Sequence, residues 1–352
     1  MSRPRTSGLI MAMLAVLAQV AVGCGGAAVQ DRSGTGATEI RIASYTSYQI
    51  DPEIQTAVEK RLNVQIEVVA VGDSAEALAS VALTAGNPDA DLFFGVDNTL
   101  LATALASKAF TAVPVPNRVA IPVEFQLDST IPLVPIDTSS VCVDADSSWF
   151  AEHGLPIPTR LEDLLEPRYR GLLVIPDPVK SSPGLVFLAG IHQRLGSQAG
   201  EFITGLRANQ VSVAGSWDEA YYSSYSVNGG DFPLVVSYST SPPAEVYFSE
   251  GALSSSTTTV LAGTCTNQVE YAGVLAGGRN TTKAAEVLNA MLDADWQSSL
   301  PLSNFVLPVR NDVVLPTQYG LFVRPSEAVS LDSSLVSTEQ KSWIAAWRET
   351  FE

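Results

Sequence analysis

The sequence predicts an α/β protein of two lobes, each a mainly parallel sheet flanked by helices, hinged by two crossings of the chain. Three observations carry this expectation. Strand-like and helix-like segments alternate from residue 39 to 109, a proline-bearing stretch over 112–136 breaks that rhythm before a second α/β block, and strand and helix patterns resume from Tyr271 with no internal repeat. Alternation of this kind implies βαβ units. The expected boundaries are 39–136 for the first part of lobe 1, 137–272 for lobe 2, and 273–352 for the completion of lobe 1 with the C-terminal helices.

Each element has its own signal. Residues 39–45, EIRIASY, alternate as a half-buried strand does. Asp51-Pro52 opens a helix, with Asp as N-cap and Pro at the first helical position, and Ile54, Val58 and Leu62 share one face. A strand over 63–70, a helix over Ala75–Thr84 that stops at Gly86-Asn87-Pro88, an apolar strand over 90–96 and a helix over 98–109 follow. Pro114, Pro116, Pro122, Pro132 and Pro135 then loosen the pattern, and the first crossing is expected near Pro135-Ile136-Asp137. The second block holds a helix starting near Pro183 and the strand Leu234–Tyr238. Beyond Tyr271 a helix capped by Asn280 aligns Ala285, Leu288, Met291 and Leu292. The last helix is expected to begin with the capping box Ser337-x-x-Gln340. Its stripe of Trp343, Ile344, Trp347 and Phe351 has the spacing of core packing.

The N-terminus carries Arg3 and Arg5, an apolar run from Leu9 to Val22, then Gly23-Cys24. A basic start, a short apolar run and small residues at its end describe a secretory signal over residues 1–23. A cysteine directly at the break resembles a bacterial lipobox, although Ala21 stands where leucine is usual. The resemblance implies lipidation of Cys24 and a chain anchored to the outer face of the cytoplasmic membrane; residues 24–38, mostly small and polar after the cysteine and without a hydrophobic period, are expected to be a flexible tether. The chain holds 20 Lys+Arg against 37 Asp+Glu; loss of the two signal arginines leaves 18 against 37, a net charge of −19. So acidic a surface repels nucleic acid. If Cys24 carries lipid, Cys142 and Cys265 remain, either as one disulfide or as two buried thiols. The only histidines, His153 and His192, have no metal-ligand spacing, and no nucleophile elbow, P-loop or zinc pattern occurs. No metal, cofactor or catalytic residue is expected.

Three segments could carry chemistry. Ser181-Ser182-Pro183 marks a helix N-terminus, whose free N–H groups suit an anion. Trp217 stands beside Asp218 and Glu219, an aromatic face near carboxylates that suits an organic cation. The buried strand Leu234–Tyr238 ends in Tyr238 followed by Ser239, Thr240 and Ser241, and ligands of open α/β sheets bind beyond the carboxyl ends of strands. Tyr45 and Asp97-Asn98 stand at corresponding ends of the first and third strands.

Together these segments resemble the thiamine-binding receptors of bacterial ABC transporters, in the two-lobed type 2 substrate-binding-protein superfamily. The resemblance runs in order through Val69–Asp73, Gly95–Leu101, Pro135–Asp137, Asp177–Leu185, Val213–Tyr221, Leu234–Pro242 and the closing Trp343-Ile344-x-x-Trp347. It implies ligand contacts at Asp73 with Ser74, at Ser181 with Ser182, at Trp217, and at Tyr238, Ser239, Thr240 and Ser241, with Tyr45 lining the aromatic part of the cleft. Ser74 replaces the family's glycine, Ser182 its threonine before proline, and Thr46 an aspartate. The resemblance implies a monomeric extracytoplasmic receptor that binds thiamine or a thiamine phosphate and delivers it to an ABC permease and its ATPase. Two rivals remain. One is a receptor for ferric ion, polyamine or another small solute; related iron receptors carry two consecutive tyrosines where this chain has Tyr238-Ser239. The other is a thiamine-degrading enzyme of the same fold, with Cys142 as nucleophile.

Overall fold

The computed structural model describes residues 36–319, 322 and 324–352. The signal, Cys24 and nearly all of the tether lie outside the described residues. In chain order the first part comprises β1 (Thr38–Ser44), α1 (Pro52–Leu62), β2 (Val64–Ala70), α2 (Ser74–Leu83), β3 (Leu92–Asp97), α3 (Leu101–Ser107) and β4 (Phe110–Thr111). Next come β5 (Val134–Asp146), α4 (Ser147–Glu152), β6 (Leu173–Pro176), α5 (Ser182–Leu195), α6 (Ala199–Ala208), β7 (Ser212–Ala214), β8 (Leu234–Tyr238) and α7 (Ser241–Phe248). The chain closes with β9 (Thr258–Leu275), α8 (Thr281–Ala290), α9 (Ala294–Ser303), β10 (Leu307–Pro308) and α10 (Ser333–Phe351). The cap read at Asp51 is present: its carboxylate accepts from the N–H groups of Glu53 at 2.9 Å and Ile54 at 3.2 Å.

Among the described residues the strands join in one sheet, ordered β2-β1-β3-β9-β5-β8-β6-β7, with β4 beside β9 and β10 beside β5. Each outer part is parallel: β1 pairs with β2 and β3, and β6 pairs with β7 and β8. The centre is antiparallel, because β5 and β9 pass in opposite senses between the two lobes and pair along most of their length. These long strands were not legible beyond their ends near Pro135 and Tyr271.

The β5–β9 ladder breaks between Val141 and Val143, whose partners jump from Thr266 to Leu261. At the break the hydroxyl of Thr264 stands in for a ladder carbonyl. It accepts from the N–H of Val143 at 2.8 Å and donates to the carbonyl of Leu261 at 2.7 Å. Cys142 and Cys265 form a disulfide at this point, 123 residues apart in sequence. Cross-linking so long a loop is worth on the order of 4–5 kcal/mol on a chain-entropy account.

One apolar cluster fills the second lobe and continues along one face of the first through Leu78, Phe93 and Val96. A second fills the opposite face of the first lobe, where Ile40, Ile42 and Phe94 meet Val287 and Leu288 of α8, its C-cap Met291, and Trp296 of α9. The C-terminal segment therefore divides. Helices α8 and α9 complete lobe 1, but α10 lies against α5 and α6 of lobe 2, contrary to the assignment of all of 273–352 to lobe 1. The reason is its tryptophan stripe: Trp343 stacks on His192 of α5 at 4.4 Å, and Trp347 is buried in the lobe 2 cluster. The helix also starts earlier than the Ser337 capping box suggested. Asp332 caps it by accepting from Ser334 and Leu335, leaving Ser337 inside the helix.

Candidate ligand-binding cleft

The parallel strands of both lobes point their carboxyl ends at one cavity of about 1060 Å³. Tyr45 follows β1, Asp73 follows β2, Trp217 follows β7 and Tyr238 ends β8. These four and Ser74 line the cavity. Ser181, Ser182, Ser239, Thr240 and Ser241 do not; all five are buried behind it.

Tyr45 owes its position to a glycine. Gly95 breaks the β3–β9 register with a φ of +116°, and a Cβ there would stand 2.7 Å from the Tyr45 ring. Only glycine combines that backbone with that closeness. The Tyr45 hydroxyl donates to Glu270 Oε2 at 3.3 Å.

Asp73 caps α2. Its Oδ1 accepts from the N–H of Ser74 at 2.7 Å, and its Oδ2 accepts from the N–H of Trp217 in the other lobe at 3.2 Å. Burial raises its pKa, and these two backbone donors with the nearby Ser181 hydroxyl oppose the rise. The Ser181 oxygen makes no well-formed hydrogen bond and does not cap α5. Ser182 Oγ donates to Asp97 Oδ2 and accepts from Gln268 Nε2 at 2.7 Å. Its hydroxyl is thus committed within the protein.

The second-lobe wall is aromatic. Trp217 stacks on Tyr221 at 5.1 Å and lies 5.6 Å from Tyr238, while its indole N–H donates to Ser237 Oγ at 3.1 Å. At 6% exposure Trp217 belongs to the core as well as to the cavity wall. Tyr222 meets Trp217 edge-on, and the segment Glu219–Ser224 is wound as a π-helix that carries these rings together. Glu245 collects three hydroxyls, from Tyr221 at 2.7 Å, Thr258 at 2.7 Å and Ser256. Burial still raises its pKa. Asp218 is also raised, first by burial and then by Asp73.

Phe305 and Phe248 join this wall unforeseen. Phe305 sits in the left-handed region at φ +60°, strained for an aromatic residue. Its ring stacks on Phe248 at 5.3 Å, and its carbonyl accepts from the Thr240 hydroxyl. An isolated Phe after a helix carries no sequence signal of this kind. Glu245, one helical turn into α7, was equally silent.

Beneath Tyr45 lies a buried acidic row. Asp97 of β3, Glu270 of β9 and Asp137 of β5 are register partners across three adjacent strands. Burial holds Glu270 and Asp137 well above the ordinary carboxylate range, and the neighbouring acids push Glu270 further. Asp137 Oδ2 has no hydrogen-bond partner among the described residues.

The lining carboxylates are Asp73, Asp218, Glu219 and Glu245, and none of the described lining residues is Lys, Arg or His. An anionic, ring-lined cavity between two lobes suits a flat organic cation.

Comparison with known proteins agrees with the architecture. The fold is that of type 2 periplasmic binding proteins: a solved periplasmic thiamin binding protein superimposes with a TM-score of 0.81 at 24% identity, over 91% of this chain and 98% of that one. Residues 87–319 match the bacterial extracellular solute-binding protein family, and the chain belongs to it. The thiamine-binding periplasmic protein of Salmonella typhimurium is 27% identical over 325 residues, covering 88% of this chain and 92% of that one. Its namesake from Escherichia coli is 26% identical over the same shares.

Proposed function

We propose that this chain is an extracytoplasmic receptor that binds thiamine or a thiamine phosphate between its lobes and delivers it to an ABC importer. The observation that carries the reading is the cavity lining: four carboxylates and a wall of aromatic rings, with no basic residue among the described ones. Thiamine joins a permanently cationic thiazolium to a flat aminopyrimidine. Each ring-to-cation contact in such a site is worth roughly 0.5–2 kcal/mol. The names borne by its relatives, thiamine-binding periplasmic proteins, support the same ligand.

In this reading Tyr45, Trp217 and Tyr238 face the rings, and Asp73 with Ser74 takes the ligand's amine or hydroxyl. Ser181, Ser182, Ser239, Thr240 and Ser241 support the cleft from behind. Cys24 carries the lipid that holds the monomer at the membrane, and lobes bounded near residues 137 and 272 close over the ligand. The iron-receptor alternative lacks a second tyrosine after Tyr238. The enzyme alternative needs a free thiolate, and Cys142 is in a disulfide.

Calorimetric titration of the delipidated protein tests the proposal and ranks thiamine against its mono- and diphosphate. Saturable one-to-one binding of at least one form is expected. The free aminopyrimidine, which lacks the thiazolium, should bind at least about tenfold more weakly. Heat with ferric citrate and none with any thiamine form would transfer the assignment to the rival receptor class.

A further inference from the structure

Among the described residues, and apart from bonds to the shared strand β9, four hydrogen bonds tie the first lobe, including its C-terminal return, to the second beside the cleft. The N–H of Ala75 donates to the carbonyl of Lys180 at 3.1 Å, and that of Trp217 to Asp73 Oδ2 at 3.2 Å. The Thr240 hydroxyl donates to the carbonyl of Phe305. The Ser182 hydroxyl donates to Asp97 Oδ2. This last bond differs from the others, because it joins an acid of β3 to the first residue of α5 and neither side chain lines the cavity.

The chemistry of the node is one-sided. Asp97 Oδ1 is already filled by the N–H of Thr99 at 2.6 Å, its hydroxyl at 2.5 Å and the N–H of Leu100 at 2.9 Å. Oδ2 has Ser182 as its hydrogen-bond donor among the described residues. Ser182 is held in the donating orientation from behind, since Gln268 Nε2 donates to its oxygen at 2.7 Å. Gln268 lies on β9, which belongs to both lobes. Asp97 is fully buried, with Glu270 as its register partner and Asp137 one strand further. A buried carboxylate oxygen that loses its donor bears the full cost of desolvation. Parting α5 from β3 therefore costs more here than parting apolar surface would.

We propose that the Asp97–Ser182–Gln268 node is a closure latch: it holds the lobes together from beneath the cleft and sets how long a bound ligand stays, through side chains that do not line the cavity. The proposal rests on the two-lobed receptor reading, and its test separates the two. Spin labels at Leu83 of α2 and Val213 of β7, both on the surface, report lobe separation in the ligand-free chain. Stopped-flow fluorescence reports thiamine release.

Ser182→Ala is expected to shift the label distances toward longer values and to speed thiamine dissociation about tenfold or more, the equivalent of one hydrogen bond to a charged group. Association should change far less. Gln268→Met removes the orienting donor at similar volume and should move both readouts in the same direction, more weakly. It also decides the matter if Ser182→Ala does not fold. Unchanged label distances in the folded variants would overturn the latch whatever the release rates, since faster release alone would mark a ligand contact at Ser182. Absence of thiamine binding in the unsubstituted chain would overturn the receptor reading alone, because the ligand-free distances still measure the latch.

Discussion

The second-lobe wall of the cleft is a stack of rings that support one another, whereas the first-lobe wall is made of loop ends held in place by side-chain hydrogen bonds. Trp217 lies against both Tyr221 and Tyr238, and all three are buried. Tyr45 and Asp73 are only partly buried: Tyr45 donates to Glu270 and lies against Phe94 and Tyr48, and Asp73 accepts from Ser74 and Trp217. A wall that is also core cannot lose a side chain without loosening its lobe. A wall of caps and loops can change its chemistry while the fold persists.

The largest expected effect lies in the aromatic wall. Trp217→Ala should lower stability by about 3–5 kcal/mol, the usual cost of emptying a buried aromatic site. Affinity for thiamine should fall at least about tenfold with it. Thermal melting beside titration checks both, and a loss of affinity with an unmoved melting curve would break the contrast between the walls. Asp73→Ala should show the opposite split. Its loss of affinity should again be about tenfold, while stability falls by only about 1 kcal/mol, the value of one N-cap.

The acidic row beneath gives a smaller effect of opposite sign. Glu270 has a raised pKa in the folded chain, so the folded state holds its proton longer than the unfolded chain does. Its contribution is therefore favourable at low pH and is lost as pH rises above the ordinary carboxylate value. Glu270→Gln should make the protein more stable at pH 7, since the buried site then holds a neutral group at every pH. The gain should vanish near pH 4, as denaturant melts at both pH values would show. His192 gives the smallest effect. Burial pushes its pKa down to about 4 from 6.5, so its contribution is intact above the ordinary value and lost as pH falls from 6.5 toward 4. His192→Gln should flatten that part of the stability profile.

Much of the first lobe was legible because its strands and helices carry full hydrophobic periods and strong caps, as at Asp51-Pro52. The strand ending in Tyr238 and the helix after Ser181 were legible for the same reason. The long strand β9 was not. Its middle residues, Thr264 through Gln268, are polar or cysteine, yet all but Asn267 are buried, and Asn267 and Gln268 pair with the equally polar Ser140 and Ser139. Such a strand has no apolar period to detect. Of the site, the residues that end strands were readable, since a strand end in an open α/β sheet points at its ligand. Phe305, Phe248 and Glu245 were not, because each reaches the cavity through the tertiary course of a loop or helix. The role of Ser182 was hidden by distance: its acceptor Asp97 lies 85 residues away.

The bond between Cys142 and Cys265 protects information as well as stability. A strand displaced by one residue turns every side chain to the opposite face. In β5 such a slip would turn Asp137 and Asp144, both fully enclosed, toward the opposite layer and carry Val141 and Val143 out of theirs. The ladder is most open to that error where Val141 and Val143 skip from Thr266 to Leu261. A covalent tie at that gap works as an index pin: it fixes the alignment of the only two long strands, among the described residues, that both lobes share.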